Sequence, residues 1–324
     1  MWPSLSPPAS CAPTGGTTPD AYTRRVDVIA GGSLTSVTGV LVGHWTDAAA
    51  RTGCTVIVLP EPNVVTAEVR GAAPATREFA LLQPGMTVQQ AQAIVLTGGS
   101  AFGLAGADGV VAALESAGRG HPTPVGVVPI VPAAALFDLG VGDAARRPGP
   151  DEGAAAYHAA SADPVVDGSV GAGTGATVSN WRRAAQPCGL GSAAVSVGDA
   201  TVAALAVVNA VGDVFSRFGE SLTGGPARVG AFVPPEPSGQ NTTLVTVATD
   251  ARLDRSALQR LCVRAHDALG ACLRPAHTAF DGDVCFAASV GDTEAPTHDL
   301  AEGAFEATAL AIEAAARATS PRSE

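Results

Sequence analysis

Apolar residues in this chain fall into short runs from Leu34 onward, separated by longer stretches with a helical period. Runs of about four to eight residues rich in valine, isoleucine and alanine predict strands. Glycine, proline, asparagine and aspartate bound the runs, as turn residues do. The predicted strands are Val40–Trp45, Cys54–Leu59, Val65–Arg70, Ala93–Thr97, Ala193–Ser196, Thr201–Asn209, Thr242–Thr249 and Val284–Ala288.

Three segments carry the period of helices. The first is Ala101–Ala117, with Ser100 as its predicted N-cap. The second begins after Asp254, and the third runs from its predicted cap, Asp299, through Ala318 and is apolar enough on most sides to lie buried. Because strands and helices alternate without an internal repeat or a Ser/Gly linker, a single α/β unit of two or four layers is favoured over two independent domains.

Composition narrows the class of protein. The chain has 324 residues, of which 46% are hydrophobic and 15% charged, as in a tightly packed α/β protein. Its net charge is −11 and it contains no lysine, which argues against a nucleic-acid partner and excludes P-loop, Schiff-base and Ser-Lys chemistry. No apolar run is long enough to span a membrane, and residues 1–32 read as a disordered extension without a signal peptide. We therefore expect a cytoplasmic protein without a membrane partner.

Metal and cofactor sites find little support in the sequence. The six cysteines and six histidines are dispersed, without a CxxC or HExxH pattern, so we expect no metal, and His44 reads as a packed or hydrogen-bonded histidine. The glycine cluster Gly171–Thr177 departs from a dinucleotide fingerprint at Ala176, and LTGGSAFGL departs from a nucleophile elbow at Phe102. Both clusters are better explained by close approach of backbone segments.

The loop-to-strand junction at Asn241-Thr242 offers a nucleophile. If the bond before Thr242 is cut, the threonine hydroxyl lies beside its own α-amine, whose reference pKa of about 7.7 to 8.0 suits a base near neutral pH. The irregular segment 212–240 that precedes it is long enough to be functional or disordered. The alternative is an ordinary strand start with two threonines chosen for β propensity.

Three further polar residues could join such a site. Asp281 and Asp283 are two apart, so in an extended segment both carboxylates point to one face, where an ammonium and a hydroxyl could lie between them. The alternative is an Asp-Gly surface turn. Asn209 is an amide in an otherwise apolar strand, and it is either a structural hydrogen-bonding group or an oxyanion donor.

Motifs along about nine-tenths of the chain identify a resemblance. In this order they resemble the L-aminopeptidase/D-Ala-esterase family of self-processing N-terminal nucleophile (Ntn) hydrolases, which includes β-peptidyl aminopeptidases and the endo-type 6-aminohexanoate-oligomer (nylon oligomer) hydrolase. The Asn-Thr junction and the Asp-x-Asp pair are closer to the nylon oligomer hydrolase branch than to the aminopeptidases, which use Gly-Ser and Ser-x-Glu. The motifs are GVLVGHWTD, ARTGCTVIVLPE, VRGAAPATRE, IVLTGGSAFGL, VPIVPAAALFDLGVGD, GSVGAGTGAT, VVNAVGDV and NTTLVTVATD.

The resemblance implies a layered α-β-β-α sandwich of the Ntn-hydrolase type over residues 33–324. It implies cleavage after Asn241, giving subunits 1–241 and 242–324, with Thr242 as the nucleophile. Asn209 then matches the oxyanion or positioning asparagine, and Asp281 and Asp283 match the pair that orients the nucleophile. The implied substrates are short peptides or ω-amino-acid oligomers, with no cofactor, and the implied assembly is a tetramer of processed units.

One departure and three alternatives follow from the resemblance. Members of the family commonly have lysine in the segment after GAGTGAT, and one such lysine is counted among the active-site residues of the nylon oligomer hydrolase. This chain instead has Asn180, Arg182, Arg183, Pro187 and Cys188 there. Either one of the two arginines substitutes or that role is absent, and an arginine does not titrate near neutral pH. The alternatives are an aminopeptidase for β- or D-amino-acid amides, an acyltransferase like ornithine acetyltransferase, and an unprocessed inactive homologue.

Overall fold

The computed structural model describes residues 26–230 and 241–319. Its strands, in chain order, are β1 (Val26–Val28), β2 (Leu41–Asp47), β3 (Thr52–Val58), β4 (Val64–Val69), β5 (Ala75–Arg77), β6 (Ala93–Thr97), β7 (His121–Thr123), β8 (Gly126–Val128), β9 (Ala133–Ala135), β10 (Thr177–Val178), β11 (Gln186–Pro187), β12 (Leu190–Val197), β13 (Ala200–Asn209), β14 (Asp213–Val214), β15 (Thr242–Ala251), β16 (Leu273–Arg274) and β17 (Val284–Thr293). Its α-helices are α1 (Gly106–Ser116), α2 (Pro150–His158), α3 (Arg255–Cys272) and α4 (Thr297–Thr319).

Two large sheets form the centre of the molecule. One has the strand order β1-β12-β13-β15-β17-β4 and the other the order β2-β3-β6-β9-β5. Neighbouring strands are antiparallel except for the parallel pairs β15–β17 and β6–β9. Helices α3 and α4 cover the six-stranded sheet and helices α1 and α2 cover the five-stranded sheet. The predicted α-β-β-α sandwich is therefore present.

Three apolar layers hold the sandwich together, and strand β15 shows how one strand serves two of them. Leu244 packs between the two sheets with Ile57, while the next residue, Val245, packs against α3 and α4 on the other face. This alternation follows from the two-residue period of a strand. Since both faces of the central strands are buried, their sequences read as continuous apolar runs.

The observed elements correct two predicted helix caps and add one helix. All eight predicted strands overlap observed ones, and Asp254 caps α3 by accepting the Ala257 amide at 2.7 Å. Ser100, however, is not an N-cap: its φ is +55°, and it begins a 3-10 helix that becomes α1 only at Gly106. Helix α4 begins before its predicted cap, Asp299, which lies in the first turn. Helix α2 was not predicted, because glycine and alanine dominate its sequence and give a weak period.

The N-terminal boundary also differs from the prediction. Residues 26–32 belong to the folded unit, because β1 pairs with β12 as an edge strand and the Ile29 amide donates to the Ala194 carbonyl at 2.9 Å. The rest of the predicted extension, with Cys11, lies outside the described residues, as do residues 231–240 of the connection before Thr242. The other five cysteines are buried free thiols. Among the described helices, none combines the length and the apolar character needed to cross a bilayer.

Candidate active site

The predicted nucleophile lies where two central strands end side by side. Antiparallel pairing of β13 with β15 sets Asn209 opposite Thr242. Thr242 has the same parity along β15 as Leu244, so its side chain lies on the face turned toward the second sheet. Asn241 and Thr242 are only 2% and 4% exposed, although they form a loop-to-strand junction. Connecting segments are usually exposed, so the burial of this junction indicates that its polar groups have a specific structural or functional role.

The carbonyl of Asn241 receives two hydrogen bonds. The Thr242 hydroxyl donates to its oxygen at 2.6 Å, and the Gly282 amide donates to the same oxygen at 2.8 Å. The second donor is a fixed backbone dipole aimed at the oxygen that would gain negative charge if the carbonyl carbon were attacked. A Cβ at residue 282 would lie 2.8 Å from the Thr242 hydroxyl, so the close approach of this loop favours glycine.

The parallel pairing of β15 with β17 brings the acidic pair to this junction. Asn241 bridges to Asp281 in the parallel sense, and Asp283 accepts the Thr243 amide at 2.7 Å. Both carboxylates are 1% exposed, so the surface-turn interpretation is wrong. Burial, together with repulsion from Asp283, raises the pKa of Asp281 to about 6.

Hydrogen bonds fix the Asp281 carboxylate. One oxygen accepts the Val211 amide at 3.2 Å, and the other accepts the Thr278 amide at 3.0 Å and the Thr278 hydroxyl at 2.6 Å. These bonds tie the loop before β17 to the end of β13. The carboxylate is therefore held in place independently of Thr242.

His277, a histidine that the sequence did not single out, contacts one member of the acidic pair, Asp283. His277 Nδ1 lies 2.7 Å from Asp283 Oδ2, and the His277 amide donates to the same oxygen at 3.2 Å. The backbone of His277 has φ +53°, in the left-handed region, and this tight turn directs the ring back toward Asp283. Burial opposes protonation of the ring, but the bond to Asp283 prevails and raises the pKa of His277.

Asn209 is a connecting residue in this structure. Its Oδ1 accepts the Thr177 amide at 2.9 Å, and its Nδ2 donates to the Phe137 carbonyl at 3.2 Å. The amide thus joins the six-stranded sheet to the segment that follows β9. Its backbone lies opposite that of Thr242, which places Asn209 at the junction.

Asn180 contacts the junction in the segment where the resemblance led us to expect a lysine. Its Nδ2 donates to Asn241 Oδ1 at 2.8 Å. Arg182 instead forms an ion pair with the buried Asp213 at 2.9 Å, and Arg183 is exposed. Burial opposes ionisation of Asp213, but hydrogen bonds from Arg182 and other donors hold the pKa of that carboxyl below its ordinary value. Arg182 therefore neutralises the charge of Asp213, and the side chain that contacts the junction is the neutral amide of Asn180.

A cavity of about 370 Å³ opens beside Asn241. Its described lining carries no ionisable side chain. Among the residues that the structure describes, the buried Nδ2 atom of Asn241 has no hydrogen-bond partner, which is a cost for a buried polar group. The lining residues are Phe137, Gly140, Val141, Thr177, Asn180, Ala185 and Asn241.

The remaining sequence candidates have structural contacts. His44 lies 3.0 Å from the Thr55 hydroxyl, and burial lowers its pKa to about 4. A Cβ at Gly171 would lie 2.3 Å from that same hydroxyl, so the first glycine cluster is a place of close packing. Within residues 26–230 and 241–319, no three His, Cys, Asp or Glu side chains come together as metal ligands.

Known proteins share this chain's sequence and fold over most of its length. Residues 32–320 match the model of Peptidase family S58. An uncharacterised aminopeptidase of Mycobacterium leprae is 40% identical over 321 residues, which cover 88% of this chain and 86% of that protein. A 6-aminohexanoate-oligomer endohydrolase of Paenarthrobacter ureafaciens is 29% identical over 276 residues, which cover 80% of this chain and 75% of that protein.

A solved structure shows the same architecture. It is an L-aminopeptidase D-Ala-esterase/amidase from Ochrobactrum anthropi, described as a new variant of the Ntn hydrolase fold. It matches with a TM-score of 0.66 at 19% identity, covering 91% of this chain and 88% of that one. The fold described above is thus of the Ntn-hydrolase type.

Proposed function

Because this chain belongs to peptidase family S58, it is a hydrolase of peptide or amide bonds, and we propose that Thr242 becomes its nucleophile once the Asn241–Thr242 bond is cut. One observation carries the proposal. The hydroxyl of Thr242 and the amide of Gly282 meet at the Asn241 carbonyl oxygen, at 2.6 and 2.8 Å, in a buried site. The start of an ordinary strand does not require a side-chain hydroxyl and a main-chain amide to donate to the same buried carbonyl oxygen, so the arrangement favours a catalytic junction.

Self-processing would proceed by an N-to-O acyl shift. Thr242 Oγ1 attacks the Asn241 carbonyl carbon, the Gly282 amide stabilises the oxyanion, and the C–N bond breaks as the hydroxyl proton passes to the departing amine. Water then hydrolyses the ester and leaves a free carboxylate on Asn241. An oxyanion donor of this kind is worth about 3 to 4 kcal/mol in the barrier.

The same groups would then act on an external amide. The free α-amine of Thr242 takes the hydroxyl proton as the oxygen attacks the substrate carbonyl, and it later returns the proton to the leaving amine. In this proposal Gly282 supplies the oxyanion donor, while Asn209 positions Thr242 from the neighbouring strand. Asp281 and Asp283 orient the new N-terminus. No step requires a cofactor.

The cavity supports a substrate class. Its described lining offers phenylalanine, valine and alanine surfaces, one hydroxyl group and two side-chain amides, but no carboxylate to hold a substrate ammonium. A neutral cavity suits an internal amide of a short peptide or an ω-amino-acid oligomer better than a free amino terminus. The relative named as a 6-aminohexanoate-oligomer endohydrolase also supports an internal amide of an ω-amino-acid oligomer as the substrate. We further propose a cytoplasmic tetramer of processed units.

Intact mass and N-terminal sequencing of freshly purified protein test the self-processing step. Cleavage is expected to give fragments of about 24 and 8 kDa from the 32.0 kDa chain, the smaller one beginning Thr-Thr-Leu-Val. Thr242→Ala should remain whole. Thr243→Ala is the matched control, since it removes the neighbouring buried hydroxyl, and it should still be cut. A wild-type chain that stays whole on prolonged incubation would overturn the proposal and favour an unprocessed homologue.

Substrate choice is tested with paired compounds. Oligomers of 6-aminohexanoate with free and acetylated amino ends are compared with β-alanyl and D-alanyl anilides. Equal turnover of the blocked and free oligomers supports cleavage of internal amides. Activity confined to free amines would make the protein an aminopeptidase, and transfer of the acyl group to an added amine in preference to water would make it an acyltransferase.

A further inference from the structure

His277 holds two hydrogen bonds that together constrain its protons. Its Nε2 lies 3.2 Å from the His266 carbonyl oxygen, which can only accept, so Nε2 carries a hydrogen. Its Nδ1 lies 2.7 Å from Asp283 Oδ2, a contact that also needs one proton between the two atoms. The ring and the carboxylate therefore hold one shared proton beyond the Nε2 hydrogen. Although burial opposes protonation, the bond to Asp283 raises the pKa of His277, which places this proton on Nδ1, so the pair is an imidazolium facing a carboxylate and is neutral as a unit.

Other charged and titratable groups around the ring leave this pairing as the dominant one. Helix α3 contributes His266, whose own pKa burial lowers to about 4, and the two rings meet edge to face with centroids 5.0 Å apart. Strand β4 contributes Glu68, whose carbonyl contacts His266, and the strand is followed by Arg70, which disfavours a second positive charge. Arg70 is itself paired with Glu68 at 2.8 Å and lies 3.9 Å from Asp267 of α3. Asp281, on the near side of the loop, faces Val211 and Thr278.

The position of the His277–Asp283 pair matters because Asp283 joins His277 to the residue that follows the proposed nucleophile. One oxygen of Asp283 accepts the Thr243 amide and the other faces His277. Two uncompensated carboxylates next to a new N-terminal amine would stabilise its ammonium form. An ammonium cannot act as a base, so the site needs one of the two charges offset.

We propose that His277 is a positioning residue that offsets the charge of Asp283, so that the α-amine released at Thr242 loses its proton at a lower pH than it would between two uncompensated carboxylates. This inference rests on the proposed function. His277 acts through Asp283 and need not touch the substrate. His277 thereby lowers the pH above which the α-amine of Thr242 is deprotonated and can act as a base.

The test is the pH profile of kcat/KM in the processed enzyme. His277→Gln removes the charge and keeps an amide donor, and its acid limb should move up by about one pH unit, at the low end of the effect of a nearby charge because Asp283 intervenes. His277→Lys restores a positive charge and should bring the limb back toward that of the wild type. His44→Gln removes a half-buried histidine of the other sheet and should leave the limb in place.

A second measurement does not depend on activity. Nitrogen-15 NMR of the histidine side chains in uncut Thr242→Ala protein should show both nitrogens of His277 protonated at pH 7. A processed, active His277→Gln enzyme with an unshifted acid limb would overturn the inference, and so would a His277 ring with one protonated nitrogen. Failure of the proposed function is distinct, because the wild-type chain itself would then remain uncut.

Discussion

Replacing Asp281 by asparagine should change how the stability of the fold depends on pH. Burial and repulsion from Asp283 raise the pKa of Asp281 from an ordinary 3.8 to about 6. The folded state therefore binds this proton more tightly than the unfolded chain, which favours folding at low pH, and the advantage is lost as the pH rises through about 6. A shift of about 2 units corresponds to about 3 kcal/mol, of which roughly 2 kcal/mol is lost between pH 4 and pH 7.

The assay is urea unfolding at pH 4 and pH 7 of uncut Thr242→Ala protein with and without Asp281→Asn. The difference between the two free energies of unfolding should change by roughly 2 kcal/mol, with the aspartate form relatively more stable at pH 4. Contributions of titrating groups that do not interact with Asp281, such as His44, cancel in this difference. Asp199→Asn, at an exposed position in the turn between β12 and β13, is the control. A difference that stays constant between the two pH values would refute the reasoning.

Three further predictions address neighbouring contacts. Arg182→Met leaves the buried Asp213 without its cation, although Ser179 and Trp181 still donate to the carboxylate. The free energy of unfolding in urea should fall by about 2 kcal/mol, the effect of lost hydrogen bonds to a charged group, while cleavage persists; loss of cleavage would give Arg182 the role of the missing lysine. Asn180→Ala removes the donor to Asn241 and should slow cleavage, followed by mass, about tenfold, the effect of one buried hydrogen bond. Burial lowers the pKa of His44 to about 4, so its contribution to stability is present above pH 6.5 and is lost as the pH falls toward 4. His44→Gln should therefore make the melting temperature less dependent on pH between about 4 and 6.5. A pH dependence equal to that of the wild type would contradict the burial of His44 as a neutral ring.

The fold could be predicted as far as burial leaves a periodic record in the sequence. Ala93–Thr97 has the same bounds in the prediction and the structure, because a strand buried on both faces must be apolar throughout. Short or alanine-rich elements such as β9 and α2 leave no such record. Their positions depend on packing against neighbours that are distant in sequence.

Residues of the candidate site were predictable where a polar group interrupts an apolar pattern. Asn209 and Thr242 stand at the ends of long apolar strands, and their pairing follows from the antiparallel register. The contact of Asp281 with Asn241 depends on the parallel pair β15–β17, which the local sequence does not specify. The structure brings all these residues to one junction, and their catalytic roles stay predictions.

The parts of the site that escaped the sequence are those made by backbone geometry. The oxyanion donor proposed here is a main-chain amide, and every residue except proline has one, so its identity at Gly282 depends only on how the loop folds. His277 reaches Asp283 through a left-handed turn of its own backbone, a conformation that its residue type does not announce. A sequence can thus supply the nucleophile and the acids, while the groups that set their charge balance become visible only once the chain has folded around them.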